Sequence, residues 1–154
     1  MADVQIKSAK FAFGADQLDD LTEEEEQILE EAKGRIVLFH VEGPLSFGSA
    51  RDIAKIIQSD IEKDVLVIDM SDIPFIDSSA SAALEEVIQR LADIDDAVLL
   101  FGARTSVLEM LNRTGVLSLL GESRVLNSRI DALRSAQSII SDTDKILTTD
   151  SHGA

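Results

Sequence analysis

From Arg35 onward the chain alternates short, uninterrupted apolar runs with segments of helical periodicity, and this alternation restricts the possible folds more than any other feature. Between Arg35 and Val41 the run IVLFHV is apolar on both parities, as a strand buried on two faces must be, and it stops at Gly43-Pro44. Val65 to Ile68 and Val98 to Phe101 repeat the pattern, and Val125-Leu126 is a shorter fourth run. Between the runs, Ser46 to Ser59 carries Phe47, Ala50, Ile53, Ala54 and Ile57 at helical spacing. Ala80, Ala83, Leu84, Val87, Ile88 and Leu91 recur at steps of three and four, which predicts an amphipathic helix capped by Asp77 or Ser78. Thr105 to Thr114 forms a further helix stopped by Gly115. A last helix is expected with Asn127 as its cap and Ile130, Leu133 and Ile140 as apolar positions, fraying after Ser141. Parallel strands need crossovers of about a dozen residues, which these helices supply, so the expected class is α/β with a mostly parallel sheet.

Ahead of this core, residues 1 to 20 alternate weakly at Val4, Ile6, Phe11 and Phe13, as either an edge strand or an extended linker would. Thr22 and Glu25 have the spacing of a capping box, and Glu23 to Glu26 complement the positive end of a helix that should run to about Ala32 and end at Gly34. Glutamates at successive positions point in different directions, so the acidic run reads as a solvated helix face.

Composition removes several classes of function. A net charge of −15 opposes the neutralisation of phosphates that nucleic-acid binding requires, and opposes contact with anionic lipid. With no cysteine there is no disulfide framework, thiolate metal site or thiol nucleophile. No window approaches the roughly 18 to 20 apolar residues that span a bilayer, so the chain is expected to be soluble as given. The absence of Trp and Tyr removes the usual stacking platforms for bases and sugars.

Few constellations suit catalysis. His40 lies in an apolar strand and His152 near the end of the chain, so no imidazole pair has metal-ligand spacing, and His40 reads as a satisfied core or strand-end histidine. Neither phosphate-binding glycine motif is present, and no cofactor is expected. Asp69 follows a buried run and has the position of a phosphoryl-accepting nucleophile, but the second aspartate such enzymes need is missing, which leaves a strand-to-turn cap. The segment from Ile73 through Pro74 to Ala80 is more informative. Pro74 interrupts the ladder, and Asp77, Ser78 and Ser79 open the amphipathic helix at the end where free N–H groups favour negative charge. Phosphorylation of Ser78 is therefore physically possible there, and a plain helix cap is the alternative.

Two stretches resemble the STAS family, named for sulfate transporters and anti-sigma factor antagonists. One is Phe39 to Ala50 with its G-P-L-S-F-G core, similar to the SulP transporter branch; the other runs from Val67 through Asp69-Met70-Ser71 to Asp77-Ser78-Ser79-Ala80. Thr114-Gly115-Val116-Leu117 also fits, and the glutamate-rich leading helix looks like cyanobacterial SulP members. The resemblance implies a mixed sheet of four to five strands with four to five helices. It divides the chain into a linker or edge strand plus acidic leading helix (1–34), a STAS domain (35–140) and a flexible C-terminal tail (141–154). It further implies a non-catalytic, cytoplasmic module excised from a bicarbonate or sulfate transporter, pairing with a second copy of itself, acting on its own transporter's membrane region and open to a regulatory protein. A free-standing phospho-switch of the anti-sigma-factor-antagonist kind is the alternative. In those antagonists the serine after the motif aspartate is phosphorylated, which maps onto Ser78, with Asp77 and Ser79 as the supporting loop; SulP members often leave that position unmodified. Ala80 replaces the glycine common in the antagonists.

Overall fold

A computed structural model describes residues 9–12, 20–42, 64–93 and 97–153. The helix expected over Ser46 to Ser59, and most of the G-P-L-S-F-G stretch, lie outside the described residues. The elements are β1 (Ala9–Ala12), α1 (Glu23–Ala32), β2 (Ile36–Glu42), β3 (Val65–Asp72), α2 (Ser78–Asp93), β4 (Ala97–Phe101), α3 (Thr105–Arg113), α4 (Val116–Leu120), a 3₁₀ turn (Glu122–Arg124), β5 (Val125–Leu126) and α5 (Arg129–Gly153). The strands form one sheet in chain order, β1-β2-β3-β4-β5. β2 to β5 are parallel neighbours, and β1 pairs antiparallel with β2 at the edge. The sheet is thus mixed, as expected, and the first segment supplies an edge strand.

Because every parallel connection steps the same way across the sheet, right-handed crossovers place their helices on one face. The core divides accordingly. Val37, Phe39, Leu66, Ile68, Met70, Val98 and Leu100 face α2, α3 and α4, and the whole predicted stripe of α2, from Ala80 to Leu91, lies in this cluster. Ile36, Leu38, Val65, Val67, Ala97, Leu99 and Phe101 face the other way, against Ile28, Leu29 and Ala32 of α1 and Ala132, Leu133 and Ala136 of α5. Strand residues of both parities are buried, which is why the runs read as continuous apolar sequence. Each fully buried leucine or phenylalanine contributes about 1.5–3 kcal/mol.

The capping box of α1 is present: Thr22 Oγ1 accepts from the Glu25 N–H at 3.2 Å, and the Thr22 N–H donates to Glu25 Oε1 at 2.9 Å. Lys33 and Gly34 then turn the chain through the left-handed region, at φ 51° and 86°. Glu23, Glu24 and Glu26 are exposed, as expected of a solvated acidic face, and the structure corrects that expectation at Glu25 alone. Glu25 is only 3% exposed, because Arg129 at the start of α5 donates Nε to its Oε2 (2.9 Å) and Nη2 to its Oε1 (3.1 Å). Burial is the largest single influence on the Glu25 carboxyl and raises its pKa. The Arg129 and Thr22 hydrogen bonds together outweigh it and hold the group below its ordinary 4.5. Arg134 of α5 grips Glu24 in the same way, so the acidic helix is docked along α5.

Two further expectations change at α5. Its cap is Ser128 and not Asn127: Ser128 Oγ accepts from the Asp131 N–H, and its carbonyl from the Ala132 N–H. The residues after Ser141, expected as a flexible tail, continue the helix to Gly153. Arg35 at the foot of β2 holds Asp144 with two nitrogens, at 2.9 and 3.1 Å, and Asp64 with Nε. The Asp144 carboxyl is accordingly pulled below its ordinary value, first by the Arg35 hydrogen bond. A polar sequence that would fray alone is thereby tied to the sheet.

Candidate functional site

The C-terminal ends of β2, β3 and β4 and the N-terminus of α2 carry the residues singled out from sequence. β3 ends in a turn at Met70–Ile73 closed by the Ile73 N–H on the Met70 carbonyl at 3.2 Å. Inside it, Asp69 Oδ1 accepts from the Ser71 N–H (2.9 Å) and from Ser71 Oγ (2.6 Å). Asp69 is therefore the strand-to-turn cap expected of it, and its second oxygen is engaged by His40 Nδ1 at 2.7 Å. A phosphoryl-accepting nucleophile needs an oxygen open to substrate, whereas this one is 6% exposed with both oxygens bonded. His40 is a satisfied strand-end histidine, its Nε2 lying 3.0 Å from Asp72 Oδ2. Gly102, at the end of β4, completes the edge. It has φ 75°, which strains any side chain, and a Cβ there would come within 3.1 Å of Ser71 Cβ, so the turn would have to give slightly to admit one.

The chain leaves this turn through buried Ile73, half-buried Pro74 and Phe75, which is 56% exposed, before buried Ile76 anchors it again. Asp77 is the helix cap: its Oδ1 accepts from the Ala80 N–H at 2.7 Å and its carbonyl from the Ser81 N–H. Ser78 is the first residue of α2, and Ser78 and Ser79 are both exposed. A kinase would meet the Ser78 hydroxyl at the surface, and a phosphate there would sit at the positive end of a 16-residue helix. Ala80 is fully buried in helical backbone, so this position has no need of glycine.

Sequence reasoning missed the partner of this helix start. Ser81, fully buried, shares a hydrogen bond with Thr114 Oγ1, which also donates to the Met110 carbonyl at 3.0 Å. The first turn of α2 is thereby pinned to the end of α3, where Gly115 at φ 89° redirects the chain into α4. The signal was available: Ser81 stands three residues before Leu84 and seven before Ile88, inside the apolar stripe. Among the described residues no group of three or more His, Asp or Glu side chains is arranged to hold a metal ion, and no helix is long and apolar enough to cross a membrane.

Against known proteins, the family model described as STAS domain matches residues 27–132. A bicarbonate transporter, BicA of Synechocystis sp., is 34% identical over 136 residues; these are 88% of this chain but 24% of that protein. The chain thus spans about a quarter of that relative's length. The STAS domain of a SulP transporter from Vibrio cholerae superposes with a TM-score of 0.64 at 25% identity, covering 75% of this chain and 94% of that one. A sulfate transporter family protein from Wolinella succinogenes gives 0.64 at 26% identity, covering 69% and 88%.

Proposed function

Since this chain belongs to the STAS domain family, we propose that it is the non-catalytic cytoplasmic module of a SulP-type anion transporter, regulating the membrane region that carries bicarbonate or sulfate and pairing with a second copy of itself. The observation that carries this reading is the 34% identity to a segment making up 24% of a bicarbonate transporter. It is supported by a strand-end edge whose aspartate and histidine are committed to structural bonds. On this reading 35–140 is the STAS core, flanked by 1–34 and by 141–154.

The test is the coding sequence immediately upstream of residue 2 in the source genome. An open frame encoding about ten apolar spans of bilayer length is the expected result. A stop codon directly upstream overturns the reading. Pairing is tested by sedimentation equilibrium at rising concentration, where a strictly monomeric chain removes that part of the proposal.

A second reading rests on the exposure of Ser78 at a capped helix start. In it the domain is a phospho-switch, Ser78 accepting phosphate and Asp77 and Ser79 shaping the loop, with the added charge releasing a regulatory protein. Incubation with the cognate kinase followed by intact-mass measurement is expected to add one phosphate, absent in Ser78→Ala; no mass gain rejects the switch.

A further inference from the structure

Between the ends of β4 and β5 and the flank of α3 lies a cavity of about 170 Å³. Its origin is local. β5 is so short that its ladder with β4 stops at Phe101–Leu126, and the next contact, from the Gly102 N–H to the Leu126 carbonyl, is long at 3.4 Å. Gly102, at φ 75°, then turns the chain away toward α3. The walls are Leu100, Phe101, Leu108, Val125 and Leu126. Every residue of β4 is buried, whereas Val125, Leu126 and Leu108 are only half-buried, so apolar surface stays uncovered here.

Size and chemistry select what could cover it. A cavity of about 150 Å³ lined by leucine, isoleucine and phenylalanine takes up benzene, so this one has room for a single six-membered ring. Water in it would find few of the polar partners it needs, and an apolar body displaces such water at little cost. The polar groups favour an anion. Although the chain carries a net charge of −15, no acidic side chain lines the cavity. Arg104, exposed, follows the lining residue Ala103 and holds no carboxylate among the described residues, unlike Arg35, Arg129 and Arg134. Asn127 lines the cavity as well. The capping role expected of it falls to Ser128, which leaves the exposed Asn127 side chain without a hydrogen bond among the described residues.

We propose that this cavity binds a small organic monocarboxylate whose apolar body is about the size of a benzene ring. The body covers Leu108, Val125 and Leu126, and the carboxylate accepts hydrogen bonds from the Arg104 guanidinium and the Asn127 amide. The site stands independently of the transporter reading and of the switch at Ser78.

Sodium benzoate titrated into the isotope-labelled chain at constant pH and ionic strength, with the amides followed by NMR, tests the site. Saturable shifts are expected at Gly102, Ala103, Val125, Leu126 and Asn127, with a Kd of about 1 mM for a ligand this small. Acetate supplies the carboxylate without the ring, and benzamide the ring without the charge; each should bind about tenfold more weakly than benzoate. Arg104→Gln removes the cation, and Asn127→Asp sets a like charge beside the carboxylate. Both positions are exposed, so the rest of the amide spectrum should be unchanged while benzoate binding weakens about three- to tenfold. The site is overturned if no saturable shift appears below about 20 mM benzoate, or if the shifts lie away from the cavity. It is equally overturned if acetate or benzamide binds as tightly as benzoate, or if either variant binds benzoate as the parent does.

Discussion

Under α2, α3 and α4 the sheet is closed by aliphatic side chains, and there buried Ser81 bonds half-buried Thr114. Under α1 and α5 the apolar seam includes four alanines, and arginine–carboxylate pairs bind the two helices to each other and to the foot of the sheet. Apolar burial is non-directional: it fixes which faces meet but leaves a helix some freedom to slide. The buried ion pair is directional, since Arg129 reaches Glu25 only when the start of α5 lies beside the first turn of α1. One face therefore holds the larger apolar cluster among the described residues, and the other sets how α1 and α5 dock. The candidate site belongs to the first face through α2 and to the second through His40 and Asp69, whose strand parity places them on the α1/α5 side.

The contrast is broken most forcefully from the apolar face. Leu66 is fully buried in β3, and Leu66→Ala should cost about 3–4 kcal/mol, read as a lower denaturant midpoint at unchanged slope. On the other face Arg129→Met removes the partner of a buried carboxylate. Because the Arg129 side chain is itself 21% exposed, the loss should stay near about 2–3 kcal/mol, at the lower end for a broken buried pair. Much of that loss should be recovered by the double variant Glu25→Gln/Arg129→Met, which leaves no buried unpaired charge, since the other partner of Arg129, Asp20, is 76% exposed. A double variant as unstable as the single one would mean that the pair acts by geometry and not by charge.

What the sequence disclosed follows the range of each interaction. The capping box at Thr22 and Glu25, the stripe from Ala80 to Leu91 and the two-sided strands are set by neighbours within a few positions, so pattern alone finds them. Helix α4, with five residues, is too short to display a period. The helical course of 141–153 and the burial of Glu25 depend on Arg35–Asp144 and Glu25–Arg129, partners 109 and 104 positions apart. No local reading of a polar or acidic run can anticipate them. The site divides along the same line: Asp77 as cap and Ser78 as first helical residue follow from local chemistry, whereas the Asp69 carboxylate beside His40 arises from strand register across 29 positions.

Smaller effects sharpen the comparison. Thr114→Val removes the partner of a fully buried hydroxyl and should cost about 1–2 kcal/mol; adding Ser81→Ala should return most of it, since two apolar groups then face each other. Acid acts on the other face. Glu25 is held below its ordinary 4.5 in the folded chain, so its contribution is fully present above about pH 4.5 and is lost as pH falls through the depressed folded value. The arginines stay charged throughout. Unfolding midpoints measured downward from neutral pH should begin to drop below about pH 4.5, less steeply in Glu25→Gln.

The smallest effect is the most discriminating. Arg134 meets Glu24 with two bonds of 2.8 Å, a geometry at least as good as that between Arg129 and Glu25 at 2.9 and 3.1 Å. What separates the pairs is exposure: the Arg134 and Glu24 side chains are 55% and 51% exposed, and that of Glu25 only 4%. In water the attraction is screened, and ordering two long side chains offsets most of what remains. Arg134→Ala should therefore leave the denaturant midpoint within error of the parent, at low salt and high salt alike. If it destabilises the chain as much as Arg129→Met does, bond geometry and not burial sets the strength of the α1–α5 contact, and the distinction between the two faces of the sheet loses its physical basis.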